Sequence, residues 1–217
     1  MPPIIKLSSI TNLHDARFGA GMGTLLEVMI GFSLNPKSEN YVSEQDFVQI
    51  SGWITGCKTV VEIEGDTISD EAQKILSNKD YTIDFIQVSD LALLLELKMK
   101  EFELPIIYTD KLEKKQDLKA LSIMYEKLKT DFGIEYFLIE SNQENLSEKD
   151  IQTLKNITKE LPIILGFGIT NENVIDLLSQ TQVKGIAFKG QTETEVGMGG
   201  YTDFDEISDI LEKVEEL

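Results

Sequence analysis

Short apolar, β-branched runs recur along this chain with helical stretches between them, and this alternation constrains the fold more than any other feature. The runs lie at 4–7, 25–30, 59–63, 83–88, 105–108, 136–139, 162–165 and 185–188. Several are apolar at consecutive positions, as in Val60-Val61, Phe137-Leu138-Ile139 and Ile163-Ile164-Leu165. Strands that read this way are buried on both faces, as in parallel sheets. Helix starts stand between the runs. Ser43 and Ser147 each offer a capping oxygen ahead of an acidic first turn, where the helix dipole favours negative charge. Thr170 or Asn171 is placed to cap the helix carrying Val174, Leu177 and Leu178. Phe204, Ile207, Ile210, Leu211 and Val214 follow the 3–4 spacing of a last amphipathic helix.

Eight strands, each followed by a helix, predict an α/β fold in which a parallel eight-stranded sheet closes into a (β/α)8 TIM barrel. An open doubly wound sheet is the competing arrangement. The chain has 217 residues, close to the lower limit of roughly 200 for such barrels. No linker, repeat or low-complexity stretch divides it, so a single domain over 1–217 is expected.

The charge balance narrows the partners. Twenty basic residues stand against 38 acidic ones, for a formal net charge of −18, and Arg17 is the only arginine. Such an acidic chain repels nucleic-acid backbones and anionic lipid surfaces, so neither is an expected partner. It can still hold one phosphate locally, on backbone amides and a nearby cation. No apolar run approaches the roughly 18 residues of a membrane helix. The N-terminus lacks the apolar core of a signal peptide. Cys57 is the only cysteine, which leaves no internal disulfide and no Cys-rich metal site. The expectation is a cytoplasmic protein, monomer or homodimer, without metal or cofactor.

In barrels of this class the chemistry is built where the strands end. The strongest signal follows strands 7 and 8. Gly166-Phe167-Gly168 leads from a strand into a helix start, and the glycines let backbone amides approach an anion. Lys189-Gly190 adds a cation and another free amide. These residues predict a small-anion pocket, whereas a tight turn alone would also explain the two glycines of the first loop.

Five segments in register resemble one known family. Lys6-Leu7-Ser8-Ser9-Ile10-Thr11-Asn12, followed by Asp15-Ala16, resembles the Lys-Ile-Cys-Gly-Ile-Thr-Asn opening of phosphoribosylanthranilate isomerase. Asn35 to Ser43 resembles its Pro-x-Ser-Pro-Arg-Tyr-Val-Ser loop, and Gln87 stands where the family has the glutamine after strand 4. Gly166 to Val174 is similar to its Ala-Gly-Gly-Leu-x-x-x-Asn-Val turn, and Gly199-Gly200-Tyr201-Thr202-Asp203 to its Pro-Gly-Val-Lys-Asp. The resemblance implies a barrel that turns a phosphoribosyl amine into its ketose isomer in tryptophan biosynthesis, without a cofactor. One acid opens the sugar ring and one base removes the C2 proton.

The resemblance also marks what has changed. The family's basic cysteine aligns with Ser8, its acidic aspartate with Glu140, and its substrate-binding arginine with Asn40. The histidine after strand 4 aligns with Ser89, and the loop from Gln191 to Gly199 is longer than the family's. An alkyl hydroxyl acts as a base only if another group first takes its proton. His14, the sole histidine, is the one imidazole available for that, and its place early in helix 1 puts it outside the strand ring. The sequence thus nominates Ser8 and Glu140 for catalysis, and Asn40, Gln87, Gly166, Gly168, Lys189 and Gly190 for binding a small phosphorylated or anionic ligand. Three functions fit these residues. One is a diverged barrel with an anion pocket and a degenerate active site. The others are a working isomerase with a substituted base, and a non-catalytic binding or scaffold protein.

Overall fold

The structure, a computed structural model, describes residues 2–23, 26–112, 118–142, 145–189 and 205–216. Eight strands form a closed barrel in chain order. They are β1 (Ile4–Ser8), β2 (Glu27–Ser33), β3 (Lys58–Ile63), β4 (Phe85–Val88), β5 (Ile106–Leu112), β6 (Ile134–Ser141), β7 (Ile163–Gly166) and β8 (Gly185–Lys189). All neighbours pair parallel, and β8 closes onto β1 through Ile4↔Gly185 to Ser8↔Lys189. The helices on the outside are α1 (Leu13–Met22), α2 (Glu44–Ser51), α3 (Asp70–Ser77), α4 (Leu91–Met99), α5 (Leu118–Phe132), α6 (Glu148–Ile157), α7 (Val174–Thr181) and α8 (Asp205–Glu215). This is the TIM barrel that the alternation predicts.

Both faces of each strand are covered, which is why the runs are apolar without alternation. Ile5, Leu7, Val61, Ile86, Ile139 and Leu165 face outward into the main core against the helices. The inward positions form a second, smaller core of Ile4, Met29, Val60, Phe85, Ile107, Leu138, Ile164 and Ala187, one residue from each strand. Side chains along a strand point to one face at every second position. The next inward residues are therefore Lys6, Gly31, Glu62, Gln87, Thr109, Glu140, Gly166 and Lys189. The inside changes from wholly apolar to polar within one pleat, toward the C-terminal ends of the strands.

Several boundaries differ from the sequence reading. β5 and β6 run to Leu112 and Ser141, because the two strands pair with each other as far as Lys111↔Glu140 and Leu112↔Ser141. Thr109 and Glu140 are consequently strand residues with a fixed inward direction. β4 begins at Phe85, since Asp84 turns its carboxylate onto the Thr59 amide at 2.8 Å and Lys58 Nζ at 3.1 Å. Ser43 and Ser147 cap α2 and α6 as expected, Ser147 in a reciprocal capping box with Asp150. Thr170 Oγ1 accepts from the Asn173 amide at 3.3 Å, but neither Thr170 nor Asn171 is the N-cap of α7. Its N-cap is Asn173, whose side chain instead accepts from the Thr170 amide at 2.9 Å and donates to Gly168 O at 2.8 Å. The side chain is thus spent on the turn between β7 and α7. Ile210, Leu211 and Val214 are the buried residues of α8, while Phe204 lies outside the described residues. None of the described helices is long and apolar enough to cross a membrane.

Candidate active site at the barrel mouth

A cavity of about 290 Å³ opens at the C-terminal mouth. Ser8 and Ser9 border it from the end of β1, Glu62 and Glu64 from β3, and Gln87 and Ser89 from β4. Thr109 and Lys111 of β5, Glu140 of β6 and Lys189 of β8 complete its polar rim. A larger cleft, of about 660 Å³, lies at the opposite end of the barrel beside α7 and α8. None of the polar layer lines that cleft, and in barrels of this kind active sites sit at the mouth.

Under the mouth sits a buried ion pair. Lys6 Nζ lies 2.6 Å from Glu62 Oε1, and the two side chains are 0% and 2% exposed. The ammonium also donates to Ser8 Oγ at 2.7 Å. The second carboxylate oxygen of Glu62 accepts from both the amide and the hydroxyl of Ser9, each at 3.0 Å. Those two bonds hold Ser9 at φ 57°, a region that few non-glycine residues occupy. Glycine at position 31 makes the pair possible. A Cβ there would stand 1.9 Å from Glu62 Oε1 and 3.0 Å from Lys6 Nζ.

Across the mouth, burial pushes the Glu140 carboxyl above the ordinary carboxylate range. The ammonium groups of Lys6, Lys189 and Lys111 oppose that rise, and the charge on Glu62 adds to it. Glu140 is also the side chain that a Cβ at Gly166 would meet, at 3.2 Å from its Cγ. A carboxyl that burial makes hold its proton more firmly can give that proton to a sugar oxygen. Beside it, Gln87 Oε1 and Thr109 Oγ1 are buried without a hydrogen-bond partner.

Of the residues the sequence nominates, Ser8, Gln87, Glu140 and Lys189 come together around the cavity. Asn40 does not line it. It is buried in the turn ahead of the Ser33↔Tyr41 bridge, with its amide 3.3 Å from Ser38 Oγ. Gly168 has φ +67°, and a Cβ on it would lie 2.8 Å from Leu146 Cγ, so local backbone and packing already call for glycine. Gly190 and the loop from Gln191 to Gly199 lie outside the described residues. Ser8 meets Lys6 rather than His14. The His14 side chain is 67% exposed, with Nδ1 3.3 Å from Asp15 Oδ1.

Sequence reasoning passes over Lys6, Glu62 and Lys111. The first two did leave a signal. Each is a single charge within an apolar strand, Ile-Ile-Lys-Leu and Val-Val-Glu-Ile. A lone charge on a strand buried on both faces needs a buried partner.

Neither a family model nor a curated protein sequence matches this chain. Solved structures do resemble it. N-(5'-phosphoribosyl)anthranilate isomerase from Pyrococcus furiosus superposes with a TM-score of 0.73 at 14% identity, over 99% of this chain and 100% of that one. A phosphoribosyl anthranilate isomerase in complex with reduced 1-(o-carboxyphenylamino)-1-deoxyribulose 5-phosphate gives 0.71 at 19% identity, over 99% and 100%. The 3-hexulose-6-phosphate synthase of Salmonella typhimurium gives 0.62 at 11% identity, over 100% and 99%. At these identities the likeness establishes the shared barrel alone, and the neighbours carry two different activities.

Proposed function

We propose that the mouth of this barrel binds a small anion of the phosphosugar type, and that the chain has lost efficient Amadori isomerisation of phosphoribosylanthranilate. The hydrogen bond from Lys6 to Ser8 carries the reading. At the position where the resembling family has its basic cysteine, this chain has a hydroxyl that accepts from Lys6 Nζ, which is itself paired with Glu62. Among the described residues Ser8 Oγ meets Lys6 and no carboxylate or imidazole, and a hydroxyl without a base does not abstract a proton from carbon. Lys111 and Lys189 supply positive charge at the rim. The Gly166–Gly168 turn and Gly190 are the proposed backbone contacts for a phosphate, with Gln87 beside them. The names of the structural neighbours above all carry a phosphorylated sugar.

One observation favours a second reading, a working isomerase. Burial raises the Glu140 carboxyl above its ordinary range, which would suit a general acid for ring opening. Complementation of an isomerase-deficient tryptophan auxotroph separates the two. The expected result is no growth with the unmodified gene, because loss of a positioned acid or base costs about 100- to 10,000-fold. Restoring Ser8→Cys and Glu140→Asp together should raise turnover. Growth with the unmodified gene establishes the working enzyme instead. Phosphate titration tests the pocket, and Lys189→Glu should weaken saturable binding. A Kd that does not rise in that variant removes Lys189 from the site.

A further inference from the structure

The mouth contains two buried polar atoms that the protein leaves unpaired. Gln87 Oε1 and Thr109 Oγ1 stand on the neighbouring strands β4 and β5, and their residues are 9% and 7% exposed. Both residues line the cavity. A buried polar atom without a partner is a standing cost that an apolar residue of the same shape would avoid. Their chemistry is specific. A glutamine amide oxygen only accepts, so whatever meets it must donate a proton. A threonine hydroxyl both donates and accepts. A ligand hydroxyl fits between the two, donating to Gln87 and accepting from Thr109. The dianion of a phosphate monoester has no proton to give Gln87.

The walls point the same way. Among the described residues the cavity is lined by no aromatic side chain, and Ile63 and Val88 are its only aliphatic ones. An aromatic ring gains its affinity by leaving water for apolar surface, and this lining offers little of it. At about 290 Å³ the cavity is also at the lower edge of small-molecule sites, which span roughly 300 to 1,000 Å³.

We propose that the ligand is a small non-aromatic sugar phosphate, whose hydroxyl groups are read by Gln87 and Thr109 while Lys111 and Lys189 meet its charge. The proposal rests on the anion-site reading above. It adds Thr109 and Lys111 to the binding residues and excludes a ligand whose affinity comes from an attached aromatic ring.

Calorimetric titration of the intact protein tests it with three probes. These are inorganic phosphate, ribose 5-phosphate and reduced 1-(o-carboxyphenylamino)-1-deoxyribulose 5-phosphate. Ribose 5-phosphate is expected to bind more tightly than phosphate and at least as tightly as the aromatic compound. Gln87→Leu and Thr109→Val should each weaken ribose 5-phosphate by about 3- to 10-fold, the range for one lost hydrogen bond. Thermal melts of both variants should stay close to that of the parent, which shows that the fold persists. Tighter binding of the aromatic compound, or ribose 5-phosphate affinity untouched by both substitutions, overturns the proposal and leaves the anion site standing. If none of the three probes binds, inorganic phosphate included, the anion-site reading itself fails and this proposal fails with it.

Discussion

Two successive layers of side chains inside the barrel share one backbone and differ in what they ask of their neighbours. Ile4, Met29, Val60, Phe85, Ile107, Leu138, Ile164 and Ala187 fill the lower layer, and each is satisfied by contact alone. One pleat higher, Lys6, Glu62, Gln87, Thr109, Glu140 and Lys189 occupy the same strands. Apolar burial is non-directional and tolerates small shifts, whereas buried charges require a partner at a fixed distance and angle. The upper layer meets that requirement on one side only. Around β1 and β3, Lys6, Ser8, Ser9 and Glu62 close a complete network. Around β4 and β5, Gln87 and Thr109 leave polar atoms unpaired. Within one ring of residues, the closed half holds the structure and the open half is free to recognise something else.

The largest expected effect breaks the closed half. Lys6→Met leaves the Glu62 charge buried without its counterion, and should cost about 3–5 kcal/mol. The double variant Lys6→Met, Glu62→Leu should be less destabilised than the sum of its two single changes, since it removes both charges. Leu138→Ala in the apolar layer should cost about 2–5 kcal/mol, with no partner able to rescue it. Urea midpoints decide this. Additive losses at Lys6 and Glu62 would mean the pair is not coupled.

A smaller effect appears in the pH dependence. Burial raises the Glu140 carboxyl, and burial likewise raises Asp110 behind it on β5. A carboxyl with a raised folded-state pKa holds its proton more firmly when folded. Its stabilisation is full below the unfolded value of about 4.3 and is lost as pH climbs through the folded value. Glu140→Gln keeps the neutral shape at every pH. It should therefore be more stable than the parent near pH 7, with the gap closing toward pH 4. A gap that stays constant across a series of urea melts would show that Glu140 is not perturbed.

The smallest effect lies in the open half. Thr109→Val deletes a buried hydroxyl that has no partner. Stability should stay within about 1 kcal/mol of the parent, or rise, because an unpaired hydroxyl contributes no hydrogen bond to lose. A loss well above that, read by thermal melting, would reveal a partner for Thr109 inside the protein and weaken the contrast between the two halves.

Sequence alone pointed to a parallel eight-stranded sheet, with closure into a barrel as the favoured arrangement. Eight apolar runs with no alternation can be covered on both faces only by a closed or sandwiched parallel sheet, and capping serines at 43 and 147 punctuate the helices between them. It also brought Ser8, Glu140 and Lys189 to notice at strand ends, which the fold collects at one mouth, and Gln87 through the family resemblance. Tertiary structure decided what these residues meet. That Ser8 faces Lys6 rather than His14, and that Lys6 finds Glu62 across 56 positions of chain, depends on the register of β1, β2 and β3 around a glycine at 31. Local pattern gives each strand its two faces. Only the closed barrel decides which inward side chains share a layer, because that pairing is set by the stagger of all eight strands together.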